Sequence, residues 1–294
     1  MSRAQSLTTA LGGTWLGRYG VALCPAHEDR NPSLSLADGD GGRVLLKCHA
    51  GCAYSDIRGA LEAGGVDRDT LRSGRNHDPD REARQRAIAE AENRKRSEQA
   101  RRLWEAAQPI SCSVAETYLR NRAVRCALPD TLRYVADCWH PTAKRLPALL
   151  SYVTGGHGYA IHRTYVDSEG RGKAPVAPAK AMLGRTKGGA VRLSEGGDRL
   201  VIAEGVETAL SLLSGLLPDR PAVWAALSAP GMGALRLPER PGRLTIAADG
   251  DRAGREAATC LAHRATHAGW RVSLLIAPDG KDWNDVLQER EGAL

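Results

Sequence analysis

From Arg199 onward, short apolar runs alternate with stretches of helical pattern, and carboxylates follow two of the apolar runs. The periodicity predicts strands at 200–203, 222–227, 244–248 and 271–277, and helices at 206–216, 253–267 and 284–290. This alternation implies β-α-β crossovers and a small parallel sheet, hence an α/β fold. Glu204 directly follows the first strand, and Asp249 and Asp251 follow the third. Because parallel strands end at one edge of a sheet, we expect these three carboxylates to converge there.

Convergent carboxylates are the hard oxygen ligands that Mg²⁺ or Mn²⁺ prefers, and they suit phosphoryl-transfer chemistry. Asp249 and Asp251 have a glycine between them, so both can turn toward one ion. Glu204 could hold a second ion or act as general base on a 3′-hydroxyl. Gly205 and Gly250 would let backbone and phosphate approach closely. Ordinary helix capping explains a single acid at such a position, but three acids at these strands favour a catalytic metal site.

A later segment, Gly280-Lys-Asp-Trp-Asn-Asp285, adds two carboxylates and a cation. We expect Asp282 and Asp285 to complete the magnesium-binding cluster and Lys281 to meet triphosphate charge. A solvated capping turn is the alternative for this segment. Glu207, one turn after Glu204, either supports the site from behind or is an exposed helix acid, and the sequence leaves both open.

Cys24-Pro-Ala-His27 and Cys48-His-Ala-Gly-Cys52 form two close-spaced pairs on either side of a predicted hairpin. Pairs of this kind build structural tetrahedral Zn²⁺ sites, because each pair grips the ion from one turn. We therefore predict Cys24, His27, Cys48 and Cys52 as zinc ligands, with His49 as the competitor. The strands of the hairpin are expected at 33–36 and 43–47, with a turn at 39–42. Cysteines without such spacing are expected in the core; they are Cys112, Cys126, Cys138 and Cys260.

The chain has 294 residues and a formal net charge of +7, which favours polyanionic partners only weakly, since a GC-rich gene also enriches arginine. No stretch is apolar and long enough to span a bilayer. The first residues lack the apolar core of a signal peptide. We therefore expect a cytoplasmic protein without a membrane partner, and thiols or metal ligands instead of disulfides.

Cys-Pro-x-His followed by Asp29-Arg-Asn-Pro-Ser-Leu34 and a second cysteine pair resembles the zinc ribbon of bacterial and phage DNA primases, although Cys-x3-Cys replaces the commoner Cys-x2-Cys. Glu204-Gly-Val-Glu-Thr-Ala-Leu-Ser211 and Asp249-Gly-Asp-Arg-Ala-Gly254 are similar to the Toprim domain shared by primases, topoisomerases and some nucleases. The 280–285 segment looks like the Lys-Asp-x-Asn-acid motif of phage-type primases. The resemblance covers most of the chain, with its motifs in the same order.

The resemblance implies a phage- or plasmid-type primase: an enzyme that joins ribonucleotides on single-stranded DNA, with structural Zn²⁺ and catalytic Mg²⁺ or Mn²⁺. Its partners would be the template, ribonucleoside triphosphates and a separate replicative helicase. Four segments are expected: a zinc domain at 1–72, a charged, solvated helical linker at 73–110, a mixed α+β basic lobe at 111–196 and a Toprim domain at 197–294.

The basic lobe is expected to contact phosphates through Lys180 and Lys187, in a segment that runs to Leu193. A polar loop with scattered cations is the alternative. Trp139 and Tyr165 could stack on bases, but core packing is the expectation for both.

Two other functions compete with primer synthesis. A Toprim nuclease of the ATPase-linked kind needs a P-loop, and the nearest match, Gly170-Arg-Gly-Lys173-Ala, fails that pattern. The chain leaves no room for the separate clamp of a topoisomerase. A non-catalytic single-stranded-DNA-binding accessory protein of replication or recombination would not need all the carboxylates that this chain retains.

Overall fold

The structure is a computed structural model that describes residues 2–29, 31–39, 43–67 and 79–292. It divides the chain into two compact units, 1–87 and 88–294. The centre of the predicted turn at 39–42 and the predicted linker before residue 79 lie outside the described residues. The boundaries of the four expected segments therefore stay predictions.

The first unit is a small antiparallel sheet with two short helices. Its elements are α1 (Arg3–Ala10), β1 (Thr14–Trp15), β2 (Tyr19–Ala22), β3 (Leu34–Asp38), β4 (Val44–Cys48) and α2 (Tyr54–Ala63). The strands pair in the order β1-β2-β3-β4. Alternate residues of β3, Leu34 and Leu36, are fully buried with Ile57 and Leu61 of α2. The predicted pairing of the two hairpin strands is confirmed by β3 and β4.

The second unit begins within a long helix, whose residues before 88 count with the first unit, and continues with an antiparallel sheet, here called the middle sheet. The elements are α3 (Pro79–Glu105), β5 (Gln108–Pro109), α4 (Val114–Asn121), β6 (Leu132–Trp139), β7 (Arg145–Val153), β8 (Ala160–Tyr165) and β9 (Lys180–Leu183). The strands pair in sequence order. Strands β7 and β8 form an antiparallel hairpin, with Ala148 opposite Tyr165.

The end of α3 differs from the solvated helix that the sequence predicts. Ala100 and Trp104 are buried, and they share a cluster with Cys138, Leu150 and Tyr165 of the middle sheet. Mixed charge hides this contact, because only a few apolar positions near the helix end carry it, namely Ala100, Leu103 and Trp104. None of the described helices combines the length and apolarity needed to cross a bilayer.

The remaining elements form the C-terminal sheet and its helices. They are β10 (Val191–Ser194), β11 (Arg199–Ala203), α5 (Val206–Ser211) with a π-helical turn at Leu212–Leu216, β12 (Ala222–Ala225), α6 (Ala229–Ala234), β13 (Arg243–Ala248), α7 (Arg252–His267), β14 (Arg271–Ile276) and α8 (Trp283–Gly292). The order is β10-β12-β11-β13-β14, antiparallel only at β10. The predicted α/β class and parallel sheet are confirmed; β10 and α6 were not predicted.

The four cysteines outside the candidate zinc site differ in how far they are buried. Cys138 is buried and Cys126 is half-buried, but Cys112 and Cys260 are exposed. The core prediction is therefore wrong for both: Cys112 lies in an exposed turn before α4, and Cys260 lies on the exposed side of helix α7. All seven cysteines are present as free thiols.

Candidate active site

Two neighbouring strands bring the predicted catalytic carboxylates to one edge of the C-terminal sheet. In the parallel pair β11 and β13, Ala203 lies opposite Ala247, so Glu204 and Asp249 leave the sheet side by side. Asp251 caps helix α7, because its Oδ1 accepts a hydrogen bond from the Gly254 amide at 2.7 Å. Its second carboxylate oxygen remains available to a ligand. The edge that carries Glu204, Asp249 and Asp251 is called the acidic edge below.

The acidic edge carries uncompensated negative charge. Burial raises the pKa of Asp249 to about 7, and the charges of Glu204, Asp282 and Asp251 act in the same direction. Burial and the charge of Asp251 also raise the pKa of Glu204. Asp249 Oδ1 is buried without a hydrogen-bond partner among the described residues. Carboxylates that repel one another around an unpaired oxygen fit a bound cation.

The acidic edge is more open than a closed metal cage. Within the described part of the chain, the one group of three or more metal-ligating side chains whose ligand atoms all lie within 4.8 Å is a cysteine and histidine cluster in the first unit. Mg²⁺ retains several waters and binds through one or two carboxylates, so a wider spacing suits it. The donor set therefore fits a hydrated Mg²⁺ or Mn²⁺.

Gly250 holds the acidic edge against the segment that precedes α8. A Cβ at Gly250 would clash with the carbonyl oxygen of Pro278. The Gly250 amide donates to the Lys281 carbonyl at 2.8 Å, and the Gly280 amide donates to the Gly250 carbonyl at 3.0 Å. We predicted from the sequence that a phosphate would approach Gly250 closely, but the backbone of Pro278 occupies that space. The same contacts bring Asp282 beside Asp249.

Asp282 and Asp285 cap the start of α8 reciprocally. Asp282 Oδ1 accepts hydrogen bonds from the amides of Asn284 at 2.7 Å and Asp285 at 2.8 Å. Asp285 Oδ2 accepts from the Asp282 amide at 2.9 Å. The 280–285 segment therefore does form the capping turn that was the alternative to a metal-binding role. The charge of Asp282 also raises the pKa of Asp249, so Asp282 lies near the acidic edge as well. Lys281 pairs with Glu289 at 2.6 Å, and its predicted contact with triphosphate stays a prediction.

Trp283 and Asn284 hold the 280–285 segment in place through hydrogen bonds to other parts of the chain. The sequence did not predict these contacts. Trp283 Nε1 donates to the carbonyl of Ala248, the last residue of β13, at 3.2 Å. Asn284 is fully buried, and its amide donates to the Arg122 carbonyl at 2.8 Å and to Ser211 Oγ at 2.9 Å. Asn284 belongs to the sequence motif at 280–285, but the motif gives no sign of this clamp, because both hydrogen-bond partners lie far away in the chain.

Glu207 lies in the interior, so the exposed-acid alternative is wrong. The Tyr118 hydroxyl donates to Oε1 at 3.0 Å, and Lys180 Nζ donates to Oε2 at 2.9 Å. Burial opposes the charge of Glu207, but the charges of Lys180 and Lys173 outweigh it and hold the pKa below its usual range. This pair joins β9 of the middle sheet to α5 of the C-terminal sheet.

The predicted phosphate-binding lysines lie in different surroundings. The charge of Lys180 lowers the pKa values of both Glu204 and Asp249, so Lys180 lies within electrostatic reach of the acidic edge. Lys187 is exposed on the loop between β9 and β10. The role of Lys187 stays a prediction.

Three buried polar side chains near Lys180 were missed from the sequence. Ser151, His162 and Thr164 share one face of β7 and β8, and Thr164 lies opposite Lys180 on β9. Each has a buried polar atom without a partner among the described residues. Burial and the charge of Lys180 lower the pKa of His162 to about 4, so this histidine is neutral. Strand alternation was the signal that could have found this polar cluster.

The zinc candidates of the first unit come together as the sequence spacing suggested. Cys24, His27, Cys48 and Cys52 have ligand atoms within 4.8 Å of one another, and Cys52 Sγ lies 3.2 Å from His27 Nδ1. Three sulfurs and one imidazole nitrogen are a donor set that Zn²⁺ accepts in structural sites. The competitor His49 points elsewhere, since its Nε2 forms a hydrogen bond with Ser35 Oγ at 2.8 Å.

Asp29 contacts two of the four candidate zinc ligands, Cys24 and His27, and the sequence did not predict this role. Its Oδ2 accepts hydrogen bonds from the Cys24 amide at 2.9 Å and from Ser33, while its Oδ1 lies 3.6 Å from His27 Nε2. The hydrogen bonds from Ser33 and Cys24 lower the pKa of Asp29 to about 2. A carboxylate behind a histidine orients the ring of a metal ligand.

The two aromatic residues considered as base-stacking candidates differ. Tyr165 is fully buried, as expected, with its hydroxyl donating to the Trp139 carbonyl at 2.9 Å. The side chain of Trp139 is 52% exposed, so the expectation of core packing is wrong there. The register of β6 shifts between Val135 and Cys138, and strand alternation from the buried Leu132 does not foresee that shift.

Comparison with known proteins identifies two domain families. Residues 94–193 match a domain of unknown function (DUF7146), and residues 199–293 match the Toprim domain. A search of curated proteins found no match.

Three solved structures are similar to this chain at low identity. The Aquifex aeolicus primase, with its zinc-binding and RNA polymerase domains, aligns at 14% identity over 98% of this chain and 80% of its own, with a TM-score of 0.41. A DNA primase domain from Pseudomonas aeruginosa aligns at 16% identity, over 66% and 74%, at 0.40. The primase fragment of the bacteriophage T7 primase-helicase protein aligns at 16%, over 64% and 70%, at 0.34. The family match and the carboxylates at the strand ends together identify residues 199–293 of this chain as a Toprim domain.

Proposed function

We propose that this chain is a DNA primase that joins ribonucleotides into short RNA primers on single-stranded DNA. The observation that carries the proposal is the acidic edge of the Toprim domain, where Asp249 Oδ1 is buried and unpartnered beside Glu204 and Asp251. The charge of Lys180 acts on Glu204 at the acidic edge. One site therefore combines carboxylates that can bind a metal ion with a cation that can bind phosphate. Primer synthesis needs both features.

Glu204, Asp249 and Asp251 would hold Mg²⁺ or Mn²⁺, with Asp282 and Asp285 as further ligands. When bound, such ions supply activation of the 3′-hydroxyl and neutralise the charge of the pyrophosphate leaving group. The alternative role of Glu204, in place of holding an ion, is that of general base on that hydroxyl, and burial raises its pKa. Lys180, Lys187 and Lys281 would bind the triphosphate of the incoming ribonucleotide.

The other parts of the chain have roles in the same proposal. A Zn²⁺ held by Cys24, His27, Cys48 and Cys52 would shape residues 1–72 for choosing the start site on the template. The basic lobe at 111–196 would hold the template and triphosphate, and the segment at 73–110 would act as linker. The enzyme would work in the cytoplasm with a separate replicative helicase.

The test is synthesis of labelled oligonucleotides on a set of single-stranded DNA templates, with four ribonucleoside triphosphates and Mg²⁺ or Mn²⁺. Asp249→Asn combined with Asp251→Asn should reduce the product at least about a hundredfold. Asp198→Asn is the matched control, because Asp198 pairs with Arg243 at the opposite end of the same strands, at 2.9 Å. This control variant should retain wild-type activity.

A second readout separates metal binding from folding. Mg²⁺ or Mn²⁺ should raise the melting temperature of the wild type and of the Asp198→Asn variant, but not that of the double variant, since a ligand stabilises the state that binds it. Circular dichroism should show all three proteins folded. Metal-dependent cleavage of the template would instead identify a nuclease, and tight binding without products would identify an accessory protein.

A further inference from the structure

A groove with a volume of about 550 Å³ follows β14, the last strand of the C-terminal sheet. Five consecutive residues of β14, 271–275, line the groove together with the turn at 216–218. Its volume lies in the roughly 300–1,000 Å³ range of ligand sites. This groove is called the Arg271 groove below.

Three arginines stand in one row at the start of the strands that form the groove. Arg199 on β11 lies opposite Arg243 on β13, and Arg243 lies opposite Arg271 on β14. Residues that lie opposite each other in a sheet point to the same face, and all three arginines line the groove. Neighbouring strands lie about 4.8 Å apart, so these like charges repel one another. The arginine row would therefore be stabilised by negative charge in the groove.

The carboxylates beside the arginine row compensate its charge only in part. Asp219 pairs with Arg199, and Asp198 pairs with Arg243 at 2.9 Å. The hydrogen bond from Arg243 lowers the pKa of Asp198, and the charge of Arg271 adds to this effect. Arg271 itself is exposed and forms no ion pair within the described ranges. The Asp198 side chain is 73% exposed, so its pair with Arg243 is weak, and Arg243 can exchange it for another anion.

Strand β14 is also an open edge of the C-terminal sheet. It pairs with β13 on one side, and no described strand pairs with its other side. Its register with β13 has no bulge, and residues 272–276 include no proline and no charged side chain, which are the devices that usually protect an edge. Leu274 and Ile276, on the opposite face from Arg271, are 46% and 42% exposed. Unpaired backbone groups beside exposed apolar side chains favour the addition of a further strand.

We propose that the Arg271 groove and the open edge of β14 bind an acidic, extended peptide segment of a partner protein. The segment would add to the five-stranded sheet as a further strand. Its acidic side chains would meet the arginine row on one face, and its apolar side chains would cover Leu274 and Ile276 on the other. Among the described residues, no aromatic side chain lines the groove, so a nucleobase would find no ring on which to stack. This favours a peptide over single-stranded nucleic acid.

The Arg271 groove is separate from the proposed active site. The three arginines are the first residues of their strands, whereas Glu204 and Asp249 directly follow the last residues of β11 and β13. Strands of this length span roughly 17–20 Å. A peptide in the groove therefore leaves the acidic edge free, and a partner could hold this protein without blocking its chemistry.

The experiment measures peptide binding to the full chain by fluorescence anisotropy, without Mg²⁺ or nucleotides. The probe is a fluorescein-labelled peptide of about ten residues in which aspartate and valine alternate. Two control peptides have the same composition: one groups the aspartates at one end, and the other carries N-methyl groups on its amides and so loses its backbone donors. We expect only the alternating, unmethylated peptide to bind tightly, because it alone presents its charges to one face and forms the hydrogen bonds of an added strand.

Two variants test the two parts of the site. Arg271→Glu should raise the dissociation constant of the alternating peptide about tenfold, and Leu274→Lys, which places a charge on the open edge, should raise it by a similar factor. Arg145→Glu is the matched control, since it makes the same change of charge at an exposed arginine that does not line the groove. Its dissociation constant should stay within about twofold of the wild-type value. All three side chains are exposed, so circular dichroism should show folded variants.

Three results would overturn the proposal. The first is an equal dissociation constant for the alternating and grouped peptides, or no change in Arg271→Glu and Leu274→Lys. The second is self-association of the wild type that Leu274→Lys abolishes in sedimentation, without peptide binding, which would identify a second copy of this chain as the occupant. The third is binding of an oligothymidine that Arg271→Glu abolishes, again without peptide binding, which would assign the groove to nucleic acid. Primer synthesis should be unchanged in Leu274→Lys, so a failure of this proposal is distinguishable from a failure of the proposed function.

Discussion

At the scale of single residues, Glu207 shows how this chain stabilises a charge in its interior. The carboxylate is 3% exposed, yet it stays ionised because Lys180 and the Tyr118 hydroxyl donate to its two oxygens. The pair is half-buried: the side chain of Lys180 is 34% exposed, whereas Glu207 and the Tyr118 hydroxyl lie in the interior. Removing Glu207 would leave the Tyr118 hydroxyl without an acceptor. Glu207 is thus a positioning residue for Lys180, which in turn lies within electrostatic reach of the acidic edge.

Glu207→Ala should therefore lower the free energy of unfolding by about 1–3 kcal/mol, measured by urea denaturation, because the buried Tyr118 hydroxyl loses its acceptor while Lys180 can turn to water. Glu207→Gln keeps the size and one acceptor, so its loss should be smaller. The pKa of Glu207 in the folded protein lies below its ordinary value of 4.5. The unfolded state therefore takes up the proton first, and the contribution of Glu207 is present above about pH 4.5 and declines below it. Equal acid sensitivity in the wild type and Glu207→Gln would contradict this assignment.

At the scale of elements, the first unit depends on two strand ends and one helix start. Cys24 and His27 follow β2, Cys48 ends β4, and Cys52 comes just before α2. A bound metal would join these three elements, and its binding free energy would then be folding free energy. A unit of this size has a small core, so it gains much from such a crosslink.

We expect about one zinc per chain by elemental analysis of protein purified without chelator. Cys48→Ser should lose the metal and unfold the first unit, as followed by circular dichroism and limited proteolysis. Two controls should keep the metal: Cys260→Ser, at an exposed cysteine of α7, and His49→Ala, because His49 bonds Ser35 instead of joining the cluster. Metal loss in His49→Ala would show that the ligand set is wrong.

At the scale of the whole molecule, helix α3 belongs to the second unit through its C-terminal part. Ser97 Oγ donates to the Tyr159 carbonyl at 3.0 Å and accepts from the Tyr159 amide at 2.7 Å. Ala100 and Trp104 are buried against the middle sheet, and Arg133 lies 4.7 Å from the ring centroid of Trp104. The middle sheet therefore needs this part of α3 to cover one of its faces.

A fragment of residues 88–294 should fold cooperatively and keep its metal-dependent rise in melting temperature. A fragment of residues 106–294, which lacks α3, should be destabilised by several kcal/mol or fail to fold, because the Trp104 contact with the middle sheet and the Ser97 hydrogen bonds to Tyr159 are lost. Trp104→Ala in the longer fragment tests the same contact with a single change, with an expected cost of about 3–5 kcal/mol. Equal melting temperatures of the two fragments would contradict the role given to α3.

Local pattern determined much of this protein. Apolar runs and helical periodicity in the C-terminal part place each predicted element within a few residues of its observed bounds. The central strands β11 and β13 are buried along most of their length, so they need continuous apolar residues. The cysteine and histidine spacing likewise brought four ligand atoms together, since each pair sits on one turn. Where neighbours in sequence determine the geometry, the sequence was sufficient.

Tertiary packing decided what depends on residues far apart in the chain. The burial of Glu207 depends on Lys180 and Tyr118, and Asn284 reaches the Arg122 carbonyl across 162 positions. Asp249 acquires its raised pKa from burial and from acids on other elements. The exposure of Trp139 follows from a shift of strand register. Charge, burial and unpaired donors arise only when separate elements meet, so the sequence alone could name the carboxylates but not the electrostatic field in which they act.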